Sequence, residues 1–117
     1  MLGSANATVM VDDLDRAVSF YVDVLGLTAG PRYGAHYAEV TAEGLTIGLH
    51  PRRPGEGAGG HDGNLSIGFL VVAIDDVVGE LTKAGVSFTS QENDASRLAF
   101  FRDPDGTPLY LFQPNGP

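Results

Sequence analysis

The sequence has no cysteine. That excludes disulfides, thiolate metal sites and a cysteine nucleophile, and it fits an expected cytoplasmic location. No apolar run approaches the roughly 20 residues of a membrane-spanning helix, so no membrane partner is expected. The opening MLGSANATVMV has no basic region ahead of an apolar stretch, and no signal peptide is expected. Cations are scarce: 7 Lys and Arg stand against 15 Asp and Glu, for a net charge of −8. With no basic stripe to meet phosphates, nucleic acid is not an expected partner. The acidity itself calls for nothing beyond solubility. There is also no Ser-His-Asp order, nucleophile elbow, P-loop or dinucleotide fingerprint.

A chain of 117 residues that is 43% hydrophobic can build one ordinary globular domain. Val9 and Val11 alternate with Thr8 and Met10, a strand pattern. DDLDRAVSFYVDVLG follows, with Asp12 or Asp13 as helix cap, Leu14, Ala17, Val18, Tyr21 and Leu25 at helical spacing, and Gly26 at the end. Three extended stretches come next: Leu27 to Arg32, His36 to Thr41 and Leu45 to His50. After the Gly- and Pro-rich PRRPGEGAGGHDG the pattern restarts. LSIGFLVV reads as a strand, AIDDVVGELTKAG as a helix, and VSFTSQ, RLAFFR and PLYLFQ as strands. The chain is therefore an internal repeat of strand, helix and three strands. The pattern alone also admits a ferredoxin-like α+β domain, which needs only two strands after each helix.

Side chains alternate along a strand, so each strand offers two faces. Val9 and Val11 oppose Asn6, Thr8 and Met10; Leu45, Ile47 and Leu49 oppose Thr46, Gly48 and His50. Ile67, Phe69 and Val71 oppose Ser66, Gly68 and Leu70; Leu109 and Leu111 oppose Pro108, Tyr110 and Phe112. The first sets suit packing under a helix. The second sets are small, polar or aromatic, and a sheet curved to place them on its hollow side would line a pocket. Aromatics there (Tyr33, Tyr37, Phe100 or Phe101, Tyr110, Phe112) can stack on a planar ligand and orient it through a hydroxyl. One of the adjacent Phe100 and Phe101 must belong to the core. The expected ligand contacts are Thr8, Met10, Tyr37, His50, Ser66, Phe100, Tyr110 and Phe112. His36, His50 and His61 are too scattered to read as a zinc site. Glu39 reads as an exposed carboxylate at a strand edge, with a general base as the alternative. Asp103 and Asp105 read as turn residues of DPDG, and Arg97, Arg52 and Arg53 as solvated cations that could meet a ligand anion.

VDDLDRAVSFYVDVLGL and FFRDPDGTPLYLFQP, in this order and separation, resemble the vicinal oxygen chelate superfamily, the glyoxalase, bleomycin-resistance and extradiol-dioxygenase group. The resemblance covers nearly the whole chain, read as a single domain over 1–117. It implies an α+β fold of two tandem βαβββ modules forming curved mixed sheets around a ligand groove. Module one would span about 5–51, a connector 51–63 and module two about 64–114. The places where metal enzymes of that group carry ligands fall on Asn6, Gly48, Ser66 and Tyr110, none of them His or carboxylate. The resemblance thus implies the metal-free, bleomycin-resistance-like branch: no cofactor, a small-molecule ligand, and a homodimer in which modules pair across chains. A lyase, isomerase or dioxygenase of the superfamily with a non-standard site is the alternative.

Overall fold

Both strand–helix–strand–strand–strand passes are present in a computed structural model, which describes residues 1, 5–52, 65–92 and 95–115. The chain divides into two units, Met1–Gly59 and Gly60–Pro117, each with its own four-stranded mixed sheet. The expected connector lies outside the described residues beyond Arg52.

The first unit runs β1 (Asn6–Val11), α1 (Leu14–Ser19), β2 (Thr28–Tyr33), β3 (Tyr37–Ala42) and β4 (Leu45–Pro51). Its sheet is ordered β1-β4-β3-β2, with β1 parallel to β4 and the other pairs antiparallel. Helix α1 starts where Asp13 accepts a hydrogen bond from the Arg16 amide at 3.1 Å, satisfying one of the otherwise orphaned first-turn donors. The helix expected to run unbroken to Gly26 changes character on the way. Phe20–Val24 form a π turn, and the Leu25 amide donates to the Phe20 carbonyl at 2.9 Å. The chain leaves it at Gly26 with φ of 81°, a left-handed conformation that glycine adopts without strain. Period-two burial then sorts the strands: Val9, Val11, Val40, Ile47 and Leu49 are buried with Leu14, Ala17 and Tyr21 from the helical segment.

The second unit repeats the plan with β5 (Ile67–Leu70), α2 (Ile74–Lys83), β6 (Thr89–Glu92), β7 (Ser96–Arg102) and β8 (Pro108–Pro114), in the order β5-β8-β7-β6. Ile67, Ala99, Phe101, Leu109 and Leu111 are buried with Ile74 and Leu81 of α2. Of the adjacent phenylalanines, Phe101 is the core residue and Phe100 lies on the other face. No side chain caps α2 locally, since Ala73 holds the cap position; Gln113 on β8 instead accepts from the Ile74 amide at 2.8 Å. The strand expected from Val86 begins at Thr89, because the Val86 amide donates back to Leu81 at 3.0 Å and closes the helix end.

The DPDG segment is a turn held by its first aspartate. Buried Asp103 accepts from the amides of Asp105 at 2.9 Å and Thr107 at 2.8 Å, and Gly106 takes φ of 84°. A carboxylate receiving two backbone donors orders the entry to β8, and so fixes which of its side chains face α2.

Candidate functional site

Each unit presents a sheet face turned away from its helix, and in the second unit that face is aromatic. Pro108, Tyr110 and Phe112 on β8 are half-buried there, while Leu109 and Leu111 between them are core. Register places Gly68, Tyr110 and Phe100 in one row across β5, β8 and β7, and Leu70, Phe112 and Leu98 in the next. The Tyr110 ring lies 5.9 Å from Phe100 and 6.0 Å from Phe112, centroid to centroid, within the range of favourable aromatic pairs. Gly68 makes this possible. A Cβ at that position would lie 2.2 Å from Tyr110 Cζ, so the phenol ring lies over bare backbone. The product is a continuous apolar surface with one hydroxyl in its middle.

The corresponding face of the first unit is polar. Asn6, Thr8 and Met10 on β1 register against Thr46, Gly48 and His50 on β4, and Gly48 against Glu39 on β3. A tyrosine again covers a glycine: a Cβ on Gly48 would meet the Tyr37 hydroxyl at 2.5 Å and Cε1 at 2.9 Å. That hydroxyl donates to Glu39 Oε2 at 3.0 Å. Burial first, then the hydrogen bond and charge of Glu39, raise the Tyr37 phenol above its ordinary value of 10.0. Tyr33 stacks on Tyr37 with ring centroids 6.2 Å apart. The His50 Nδ1 donates to the Pro51 carbonyl at 2.7 Å, which leaves Nε2 as the ring atom available to a ligand. At the end of the same face Arg52 pairs with Asp12.

The residues expected to contact ligand thus fall into two groups. Thr8, Met10, Tyr37 and His50 share the helix-free face of the first unit; Phe100, Tyr110 and Phe112 share that of the second. Ser66 is exposed and sits one residue ahead of β5, outside the strand it was expected to belong to. Glu39 corrects the expectation of an exposed carboxylate at a strand edge, since β3 is an inner strand and Glu39 is half-buried there. His36 lies exposed in the turn before β3, not in the strand. His61 and Arg53 lie outside the described residues.

Arg97 is committed to the opposite side of its sheet. Its guanidinium donates to Asp75 on α2 at 2.7 and 3.1 Å and pairs with Glu92 at 3.2 Å, beside a cleft of about 290 Å³ between α2 and β6–β7. The hydrogen bonds from Arg97 and then its charge hold the Asp75 carboxyl below its ordinary 3.8. The sequence carried no sign of this pairing, because 22 residues separate the partners.

The four places that the resemblance assigns to metal ligands offer few donors. Asn6 is a neutral amide, Gly48 has no side chain and is roofed by Tyr37, Ser66 is a neutral hydroxyl, and Tyr110 carries its phenol over Gly68. Among the described residues no three His, Asp or Glu cluster in a way that could hold a metal ion.

The family model for the Glyoxalase/Bleomycin resistance protein/Dioxygenase superfamily matches residues 3–111. No curated protein matches the sequence significantly. Among solved structures the chain is similar to a glyoxylase/bleomycin resistance protein/dioxygenase domain from Frankia sp. EAN1pec, at 27% identity and a TM-score of 0.77, covering 98% of this chain and 99% of that one. It is similar to TnmS3, an antibiotic binding protein from Streptomyces sp. CB03234, at 25% identity and a TM-score of 0.73, with 98% and 99% covered. The glyoxalase family protein from Enterococcus faecalis shares the fold at 19% identity and a TM-score of 0.78, over 94% and 96% of the two chains.

Proposed function

Because the chain belongs to the glyoxalase/bleomycin resistance protein/dioxygenase superfamily, we propose that it is a small-molecule-binding protein that sequesters an aromatic or amphipathic compound without a metal. The observation that carries this reading is the Phe100–Tyr110–Phe112 cluster, with Tyr110 seated over Gly68 on the face away from α2. A flat apolar ligand laid on that cluster buries its own surface and that of three rings, at roughly 25 cal/mol per Å² before the costs of association. The Tyr110 hydroxyl supplies the orienting contact. The antibiotic-binding role of a similar protein supports the same class of function here, and the poor donor set at the metal places supports a site that holds its ligand rather than activating it.

Replacement of Tyr110 by alanine is expected to weaken binding of an aromatic ligand by about 0.5–1.5 kcal/mol or more, the range of aromatic pairs, with little loss of stability. Isothermal titration beside a thermal melt checks both at once. Unchanged affinity together with a large drop in melting temperature would place Tyr110 in the core and remove the basis of the reading.

The proposal extends to a cytoplasmic homodimer with two equivalent sites. Leu65, Leu70 and Val72 are 58%, 64% and 92% exposed in and around β5, an edge strand of its sheet. Such an apolar edge invites a second chain. Light scattering at micromolar concentration is expected to return twice the chain mass of 12.3 kDa; a mass that stays at 12.3 kDa at every concentration rejects the dimer.

A further inference from the structure

Glu39 stands in an unusual setting on the face of the first unit. Both strands that flank β3 offer it glycine: Gly48 pairs with it in register on β4, and a Cβ at Gly30 on β2 would lie 3.3 Å from the Glu39 Cβ. Neither neighbour can therefore shade the carboxylate with a side chain, and the space over Gly48 is taken by the Tyr37 ring. The Tyr37 hydroxyl binds one oxygen, Oε2. Among the described residues no Lys or Arg pairs with Glu39; Arg52, at the end of the face, gives Nη1 to Asp12 and keeps Nε and Nη2 buried without a hydrogen-bond partner. The carboxylate is half-buried, accepts one neutral hydrogen bond and keeps its other oxygen for a further donor.

The surroundings favour a particular kind of donor. The stacked rings of Tyr33 and Tyr37 present π density beside the carboxylate, which attracts cations. The carboxylate and the aromatic faces beside it both favour a positively charged N–H group. The net charge of −8 adds a long-range attraction of the same sign.

We propose that Glu39, flanked by Gly30 and Gly48 and backed by Tyr37 and Tyr33, is a recognition site for a protonated amine carried by the ligand. This rests on the small-molecule-binding reading and names the ligand class: a compound bearing an ammonium group, with its aromatic part against Tyr33 and Tyr37 of the same unit. Glu39 acts as its counter-ion through Oε1, while Tyr37 holds Oε2 and keeps the carboxylate from turning away.

The test uses two small probes, naphthylmethylamine, an ammonium at neutral pH, and naphthylmethanol, its uncharged counterpart. Titrated by fluorescence into the full chain, the ammonium is expected to bind about tenfold more tightly than the alcohol, the scale of a hydrogen bond to a charged group. The preference should shrink as salt rises, a measurement that needs no variant. In Glu39→Gln, whose amide keeps the size and shape of the side chain, the preference should vanish. Equal binding of the two probes by the unmodified chain, or a preference that survives in Glu39→Gln, overturns the amine site and leaves the binding reading standing. Binding of neither probe overturns both.

Discussion

Replacement of Gly68 by alanine is expected to lower affinity for an aromatic ligand by about 1–2 kcal/mol, a factor of roughly 5–30. The new methyl would sit 2.2 Å from Tyr110 Cζ and 2.6 Å from its hydroxyl oxygen, far inside contact distance. Backbone of β5 and β8 is locked in register at Gly68↔Tyr110, so the ring has to move rather than the strands. Its way out is toward the ligand face, where it collides with the space between Phe100 and Phe112. Stability should respond differently. Alanine in a strand interior recovers about 0.5–1 kcal/mol of backbone entropy relative to glycine, which offsets much of the lost ring packing. A double-mutant cycle separates the two effects. In the Tyr110→Ala background, Gly68→Ala has no ring to displace and is expected to stabilise the fold in denaturant titrations. If Gly68→Ala has the same effect on stability with and without Tyr110, the ring does not rest on the glycine and the explanation fails.

This glycine–tyrosine pairing marks the boundary of what the sequence makes legible. Alternation alone assigned Val9, Val11, Ile47, Leu49, Ile67, Leu109 and Leu111 to the core, and all are buried, whereas Leu45, Phe69 and Val71 of the same sets are only half-buried. A period of two is a local property, and one buried face demands that it be kept. The order of elements was equally local, written in caps, glycines and turn residues. Gly48 and Gly68 were legible only as small residues on the second faces of their strands. What approaches depends on register between strands, and register is not a local quantity. Tyr37 on β3 reaches Gly48 on β4, whereas Tyr110 on β8 covers Gly68 on β5 across a parallel pair. The same limit hid the setting of Glu39, whose glycine neighbours follow from the register of β3 on β4 and from a break in the β2–β3 register between Ala29 and Arg32. It hid the capping of α2 by Gln113, which lies 39 residues away. The π turn was missed for another reason. The spacing of Leu14, Ala17, Val18, Tyr21 and Leu25 suits a helix in general, and one widened turn near its end leaves that spacing nearly intact.

Replacement of Leu109 by alanine is expected to cost about 2–5 kcal/mol of stability, the range for deleting a buried leucine side chain. Leu109 is 1% exposed and pairs in register with Ile67 on one side and Phe101 on the other. Phe101 in turn packs on Phe88 with ring centroids 5.1 Å apart, so the side chains around the deleted methyls are held by neighbours and cannot readily close the gap. A loss of that size is a large share of the 5–15 kcal/mol by which ordinary domains are stable, and the second unit should show it most. Its measure is the midpoint of urea unfolding, with an unchanged slope to show that the surface exposed on unfolding is the same. The informative comparison is with Tyr110→Ala, one residue further along β8. Leu109→Ala should lower the unfolding midpoint and leave the affinity of the remaining folded protein close to that of the unmodified chain. Tyr110→Ala should do the reverse. Two adjacent residues with opposite effects are what a strand with one face for the core and one for a ligand requires. If both substitutions mainly destabilise, the face away from α2 is a second core surface and the ligand must bind elsewhere.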